Sequence, residues 1–231
     1  MIDPPTPIGV PELFELPRER AEVAPGAVHV PSQPGTWTGQ QRELVRRCRQ
    51  WALGPVPMRR PVLPGGGRMS VRSVTLGWDW TPYRYLRTGG TKQALDMPAW
   101  LSELGRRAVA AAYGPDAPDA RTYRPDTALV NFYDAAARMG MHQDRDESSA
   151  APIVSLSLGD SCVFRFGNTE TRSAPYQDVE LRSGDLFVFG GPSRYAFHGV
   201  PRIRPGTGSA AAGMKGGRLN ITLRMTGRTP A

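Results

Sequence analysis

Cysteine and histidine are scarce in this chain, with two and three residues among 231. Cys48 and Cys162 lie far apart and form no CxxC unit. Neither a disulfide framework nor a cysteine-ligated zinc site is expected, and a reducing compartment is the simplest setting. Cys48 reads as a small buried apolar residue. Long apolar runs are also missing, and no stretch approaches the ~18 residues of a membrane span. The opening residues, MIDPPTPIGVPEL, lack the basic-then-apolar pattern of a secretory signal. The expectation is a soluble, cytoplasmic protein with no membrane partner. Acidic residues are outnumbered by basic ones, 21 to 29, for a formal net charge of +8. That excess favours polyanionic partners, nucleic acid first, although a basic surface that only keeps the chain in solution has the same composition.

Glycine and proline are plentiful, at 26 and 23 residues, which implies many turns and a β-rich body rather than a helical bundle. The length suits one domain with elaborations. Residues 1–35 are Pro-rich and read as an extended arm laid over the body or as a partly disordered segment. A helix is predicted over 38–52, with Thr38 as N-cap and Leu44, Val45, Cys48 and Trp51 at helical spacing. Residues 54–97 are irregular. They hold Arg59, Arg60, Arg68 and Arg72 together with Trp78, Trp80, Tyr83 and Tyr85, and that aromatic content argues for a functional loop rather than disorder. A second helix is predicted over 98–113, with Leu101, Leu104, Ala108 and Ala112 on one face. Short strands follow, at 128–133, 153–158, 162–166, 178–181, 186–189, 195–198 and 219–225, several of them separated by turn signals such as Ser183-Gly184-Asp185. Many short strands at close spacing suggest a sandwich or jelly roll. The small-residue stretch 206–217 reads as a loop between two strands.

Two of the three histidines fall in this strand-rich half. His142 and Asp144 are two residues apart, so in extended backbone both side chains point to one side while Gln143 points away. His198 must come from another strand. Two imidazoles and a carboxylate suit Fe(II) held on one face with open positions on the other, which is oxygen chemistry. Structural zinc would want four ligands. Taken alone the His-x-Asp triplet is weak, since a surface histidine beside a solvated aspartate looks identical. Farther on, Arg218, Asn220, Thr222 and Arg224 share one face of a strand, with Leu219, Ile221 and Leu223 on the other. Two inward arginines are costly unless they meet anions, and a dicarboxylate offers two. An outward, solvated basic face is the plain alternative.

Together, His142-x-Asp144, His198 and Arg218-x-Asn220-x-x-x-Arg224 resemble the AlkB family of Fe(II)- and 2-oxoglutarate-dependent dioxygenases, its bacterial branch most of all. The surrounding text agrees: Asn131-Phe132-Tyr133, HQDRDE at 142–147, APIVSLSLG at 151–159 and GDLFVFGGPSRYAFHGV at 184–200. The likeness runs from about Pro64 to Gly227. It implies a mainly β fold with flanking helices (α+β), a double-stranded β-helix of the jelly-roll type over 126–227, with 54–97 as a nucleotide-recognition lid. It implies Fe(II) held by His142, Asp144 and His198, with 2-oxoglutarate and O2 as cosubstrates. Arg218 would meet the distal carboxylate, Asn131 and Tyr133 would add hydrogen bonds, and Asn220 and Arg224 would serve the end nearer the iron. Met139 and Ser155 would line the same space, or simply pack.

The reaction implied is oxidative removal of a methyl group from a nucleobase ring nitrogen, with release of formaldehyde. The expected partner is alkylated single-stranded DNA, with double-stranded DNA or RNA as further candidates, bound by a monomer. Asp146 and Glu147 would face a cationic base, Asp146 first. Trp78, Tyr85 and Met69 would line the base pocket, with His142 on the opposite face. Trp80 and Tyr83 are further aromatics without an assigned role. Arg59, Arg60, Arg68, Arg72, Arg84, Arg87 and Lys92 would contact phosphates, and Arg172 adds a contact across a one-residue gap in the likeness. The segment 148–151 departs in length from the family pattern, which would alter the pocket rim. A rival reading keeps the iron site but hydroxylates a protein or small molecule. A second rival is a non-catalytic nucleic-acid binder.

Overall fold

The computed structural model describes residues 18–32, 38–86, 95–208 and 210–228. Arg87, Lys92, the side chain of Thr38 and the first 17 residues of the Pro-rich arm lie outside the described residues.

Runs of alternating or fully apolar residues become strands wherever glycine turns bound them. In chain order these are β1 (Ala21–Ala24), β2 (Ala27–Val30), β3 (Arg72–Leu76), β4 (Asp79–Thr81), β5 (Arg84–Leu86), β6 (Thr127–Tyr133), β7 (Met139–His142), β8 (Ile153–Gly159), β9 (Ser161–Phe166), β10 (Gln177–Leu181), β11 (Leu186–Phe189), β12 (His198–Arg204) and β13 (Arg218–Arg224). The α-helices are α1 (Thr38–Ala52), α2 (Ala99–Tyr113) and the short α3 (Pro118–Thr122). A seven-stranded sheet runs β1-β2-β11-β8-β13-β6-β3, and a four-stranded sheet runs β10-β9-β12-β7. All their pairings are antiparallel. This is the jelly-roll arrangement of a mainly β protein.

The large sheet is covered on both faces. On its outer face Leu44, Val45 and Cys48 of α1 and Leu101, Val109 and Ala112 of α2 pack with Val154, Leu156, Leu158, Ile221 and Leu223. Between the two sheets lies an aromatic layer of Phe164, Phe166, Phe187 and Phe189, with ring centroids 4.7 Å apart for Phe164 and Phe187. Burial on both faces explains why every residue of β8 and β13 is buried. Period-two alternation then gives each central strand two jobs. Leu219, Ile221 and Leu223 join the helix-side core, while Arg218, Asn220, Thr222 and Arg224 line an internal cavity.

Several elements differ from the sequence reading, among them β7 and the short α3, which fall outside every expected strand and helix. Residues 21–30, expected as part of an extended arm, form a hairpin whose second strand pairs with β11. Its turn needs Gly26, at φ 77°, where a Cβ would stand 2.5 Å from the Gly190 carbonyl oxygen. Within 54–97, expected as irregular, β3 pairs with β6 as an edge of the large sheet, because Val74 and Leu76 bury completely in the helix-side core. The strand expected at 195–198 begins only at His198. A 3-10 turn at Gly191–Ser193, with Pro192 in it, and a hydrogen bond from Ala196 N to Ser193 O (3.0 Å) occupy the residues before it. The helix at 99–113 and the strands at 153–159 and 186–189 fall within a residue of expectation.

Candidate metal and cosubstrate site

The cavity between the sheets, of about 440 Å³, is lined by residues from both. β7 and β12 pair with His142 opposite His198, which brings the two rings to 4.5 Å between centroids. Gly199 permits this approach, since a Cβ there would stand 2.7 Å from the Met139 carbonyl oxygen. Asp144 follows just past the end of β7. Its Oδ1 lies 3.7 Å from His142 Nε2 and its Oδ2 3.8 Å from His198 Nε2. One ligand atom from each of the three side chains falls within 4.8 Å of the others.

Both imidazoles are oriented from behind. His142 Nδ1–H donates to Gly140 O (2.9 Å) and His198 Nδ1–H donates to Ala196 O (3.0 Å). Carbonyls can only accept, so Nδ1 carries a proton in each ring, and a neutral ring so held presents its Nε2 lone pair to the cavity. Burial, together with the nearby His142, lowers the His198 pKa to about 4, so this ring is neutral. Burial pushes the Asp144 carboxyl up, but the Arg224 guanidinium outweighs it and holds the pKa at about 2. Asp144 is therefore an anion. Its Oδ2 is buried and has no hydrogen-bond partner among the described residues. A buried lone anionic oxygen beside two imidazole lone pairs fits a divalent cation, and the mixed nitrogen and oxygen donor set fits Fe(II).

Arg218 supplies the matching cation without an anion. It is 1% exposed, its Nη2 donates to Ser157 Oγ (3.0 Å), and its Nε and Nη1 are buried with no partner among the described residues. Tyr133 lies beside it, the guanidinium 5.0 Å from the ring centroid, and burial lifts the Tyr133 hydroxyl to about 12. The phenol thus stays a hydrogen-bond donor. Such an orphaned guanidinium fits a carboxylate. Asn131 and Asn220 complete this wall, held by Ser73 Oγ to Asn131 Oδ1 (2.6 Å) and Asn220 Nδ2 to Ser155 Oγ (2.7 Å).

The remaining expected residues separate into two groups. Met69, Met139, Ser155, Asp146 and Arg172 line the cavity, and so does Arg224, whose Nη2 stands 2.7 Å from Asp144 Oδ1. Trp78, Tyr85 and Glu147 do not line it. Trp78 sits near Arg228, with the guanidinium 6.0 Å from its ring centroid. Tyr85 is 4% exposed, and its hydroxyl donates to Glu147 Oε1 (2.7 Å). The Glu147 carboxylate is wholly enclosed, 3.0 Å from Arg194 and 2.9 Å from Arg224. Burial raises its pKa, and the Arg224 charge more than reverses that. Trp80 and Tyr83 line the cavity instead. Trp80 Nε1–H donates to Asp146 Oδ2 (2.8 Å), and Tyr83 stands 69% exposed at the hairpin turn with φ 71°. Burial raises the Asp146 pKa, partly offset by the Trp80 hydrogen bond. Of the basic residues expected at phosphates, Arg68, Arg72 and Arg84 are exposed, whereas Arg59 and Arg60 pair with Asp79 and Asp134.

Sequence reasoning did not single out Arg194. It is fully buried, and it binds Asp144 O through Nη1 (2.7 Å), Ala151 O through Nε (2.7 Å) and Glu147 through Nη2. It thereby pins the backbone around Asp144.

The family profile of the 2OG-Fe(II) oxygenase superfamily matches residues 34–224. The alpha-ketoglutarate-dependent dioxygenase AlkB homolog of Caulobacter vibrioides is 44% identical over 169 residues, covering 69% of this chain and 70% of the relative. The DNA N(6)-methyladenine demethylase ALKBH1D of Arabidopsis thaliana is 33% identical over 204 residues, covering 80% of this chain and 46% of the relative, so the chain spans about half the length of that protein. The solved structure of OsALKBH1 matches with a TM-score of 0.74 and 31% identity, covering 89% of this chain and 100% of the other.

Proposed function

Because the chain belongs to the AlkB family of the 2OG-Fe(II) oxygenase superfamily, we propose that it is an oxidative dealkylase of N-methylated nucleobases. Its substrates are 1-methyladenine and 3-methylcytosine in single-stranded DNA, with RNA as a further one, and it works as a cytoplasmic monomer. One observation carries this reading: a single cavity joins the His142, Asp144 and His198 set, the orphaned Arg218 guanidinium and the Asp146 carboxylate.

The family uses Fe(II), 2-oxoglutarate and O2. Here His142, Asp144 and His198 would hold the metal. Arg218 would meet the distal carboxylate of 2-oxoglutarate, and Asn131 and Tyr133 would add hydrogen bonds. Asn220 and Arg224 would serve the end nearer the metal, with Met139 and Ser155 lining the space. Bound together, Fe(II) and 2-oxoglutarate would let O2 oxidise an N-methyl group to N-hydroxymethyl, one oxygen atom going to the methyl carbon and the other to succinate, with CO2 released from 2-oxoglutarate. The hydroxymethyl base then releases formaldehyde.

The rest is placement, which is the protein's share of the work. The buried ion pairs of Arg224 and Arg194 keep the metal-bearing segment fixed before any ligand arrives. Trp80, Tyr83 and Met69 offer apolar faces to an extruded base, and the His142 side chain, 38% exposed, faces the same space. Asp146 favours a base that carries positive charge and accepts a hydrogen bond from its exocyclic amine. Arg172 at the cavity wall and the exposed Arg68, Arg72 and Arg84 supply phosphate contacts that weaken with salt.

The Arabidopsis relative supports a second reading, in which the methyl group sits on the exocyclic nitrogen of a neutral adenine. One experiment separates them. The protein is incubated with Fe(II), ascorbate, 2-oxoglutarate and single-stranded oligonucleotides bearing 3-methylcytosine or N6-methyladenine, and each is read by mass spectrometry. Restored cytosine with little restored adenine is expected. Turnover of 2-oxoglutarate with every oligonucleotide unchanged would overturn both and favour a hydroxylase of proteins or small molecules.

A further inference from the structure

We propose that Trp80 is a positioning residue that gives the site its preference for a cationic base, by holding Asp146 with one oxygen tied back and the other turned to the cavity. The inference rests on reading the cavity as a methylated-base site and adds the residue that tunes it. Trp80 Nε1–H donates to Asp146 Oδ2 at 2.8 Å, while Oδ1 accepts no hydrogen bond among the described residues. Both side chains stand on the cavity wall.

The hairpin that carries Trp80 is anchored on both strands. Trp80 faces Tyr85 in register across β4 and β5. Tyr85 is fastened to Glu147, so the facing pair grips two consecutive carboxylates, Trp80 on Asp146 and Tyr85 on Glu147. Next to Trp80, Asp79 accepts from Thr75 Oγ1 and from Arg59 Nη2, each at 3.0 Å. Trp80 therefore cannot swing away without breaking contacts on either side of it.

The donor type matters. An indole has a single neutral N–H. It fixes the plane of the carboxylate and leaves its negative charge uncancelled, which a lysine or arginine at this place would not do. A base with a delocalised positive charge and an exocyclic amine then gains both the charge attraction and the hydrogen bond to Oδ1, and a neutral base of the same shape gains only the second. A carboxylate already held also loses less rotamer freedom on binding.

The test is a double-mutant cycle on the full chain loaded with Mn(II) and 2-oxoglutarate without O2. Fluorescence anisotropy gives Kd for a single-stranded oligonucleotide bearing one 3-methylcytosine and for the same strand with cytosine. Trp80→Phe keeps an aromatic wall and removes the donor. It is expected to cut the methylated-over-unmethylated preference about tenfold, as for loss of a hydrogen bond to a charged group. Asp146→Ala should cut it at least as far, and the double variant no further than Asp146→Ala alone. Additive losses would overturn the proposal and leave Trp80 as a wall only. A second measurement needs no change at Trp80. The indole N–H of Trp80 should exchange slowly in nitrogen-resolved NMR spectra and lose that protection in Asp146→Ala, and retained protection would overturn the proposal. The wild-type turnover assay runs alongside. Absent formaldehyde there would strike the dealkylase reading itself, whereas turnover with additive losses strikes only the role of Trp80.

Discussion

The Tyr85 hydroxyl donates to Glu147 Oε1 at 2.7 Å, in a place that the cavity does not reach. The same Glu147 oxygen lies 2.9 Å from Arg224 Nη1, and Arg224 in turn reaches Asp144. A tyrosine placed by sequence against the substrate is thus part of the support beneath the metal-bearing segment. Tyr85→Phe should lower stability by about 1 kcal/mol, the usual worth of one buried hydrogen bond. With Thr75 and Arg59 still holding Asp79 beside Trp80, it should leave the preference for methylated over unmethylated strands largely in place. Urea unfolding measures the first, and binding anisotropy the second.

Glu147→Gln is expected to be far more damaging. It would leave Arg194 and Arg224 short of an anion in a buried setting, and breaking such a pair typically costs about 3–5 kcal/mol. Thermal and urea unfolding check this, and a loss under ~1 kcal/mol would show that the two arginines find other partners.

At Arg218 stability and function should move in opposite directions. Its guanidinium is buried with two unpartnered nitrogens, so Arg218→Ala is expected to leave the ligand-free protein equally or more stable. The same change should abolish the rise in Tm that 2-oxoglutarate with Mn(II) gives the wild type, and raise KM for 2-oxoglutarate by at least tenfold. An unchanged KM would remove Arg218 from cosubstrate binding.

His198→Ala and Asp144→Ala should each remove the thermal stabilisation by Mn(II), measured without 2-oxoglutarate, and with it all turnover. A retained shift in Tm would place the metal elsewhere.

The acid limb of stability should depend on Asp185, in the turn that leads into β11. Its carboxylate is fully enclosed and accepts from Arg18, from His29 Nε2–H (3.0 Å) and from the backbone N–H groups of Ser32 and Arg182. Burial raises its pKa, but these donors outweigh burial and hold it below the ordinary carboxylate value. A carboxyl whose folded pKa is depressed binds its proton more weakly than in the unfolded chain. Its stabilisation is therefore complete above the unfolded pKa of about 3.9 and fades as pH falls below it. Asp185→Asn should unfold at lower urea than wild type at pH near 7, and the gap should narrow on acidification through about pH 4.

The parts of the site set by strand period were legible in the sequence. Arg218, Asn220, Thr222 and Arg224 alternate with Leu219, Ile221 and Leu223, and the two sets do face the cavity and the helix-side core. His142, Asp144 and His198 are weak signals alone and stood out once the arginine pair of the last strand joined them. What escaped was set by tertiary contacts without a period. Trp80 and Tyr83 reach the cavity, rather than Trp78 and Tyr85, because a three-residue strand and a turn at positive φ decide their directions. Strands as short as β1 and β2 are stabilised by the pairing of β2 with β11, a partner 150 or so residues away that no local pattern announces. Arg194 sits in a turn, where nothing in the local sequence distinguishes a buried arginine from a solvated one.

The two-sided use of β13 has a consequence for how errors in folding can arise. A slip of its pairing by one residue would turn three aliphatic side chains into the cavity and thrust both arginines among the helices. No partly slipped form could be stable, because the apolar layer and the charged layer would be spoiled by the same step. The chain is thereby protected from a register-shifted folded state: molecules that reach the native packing carry Arg218 and Arg224 on the cavity side.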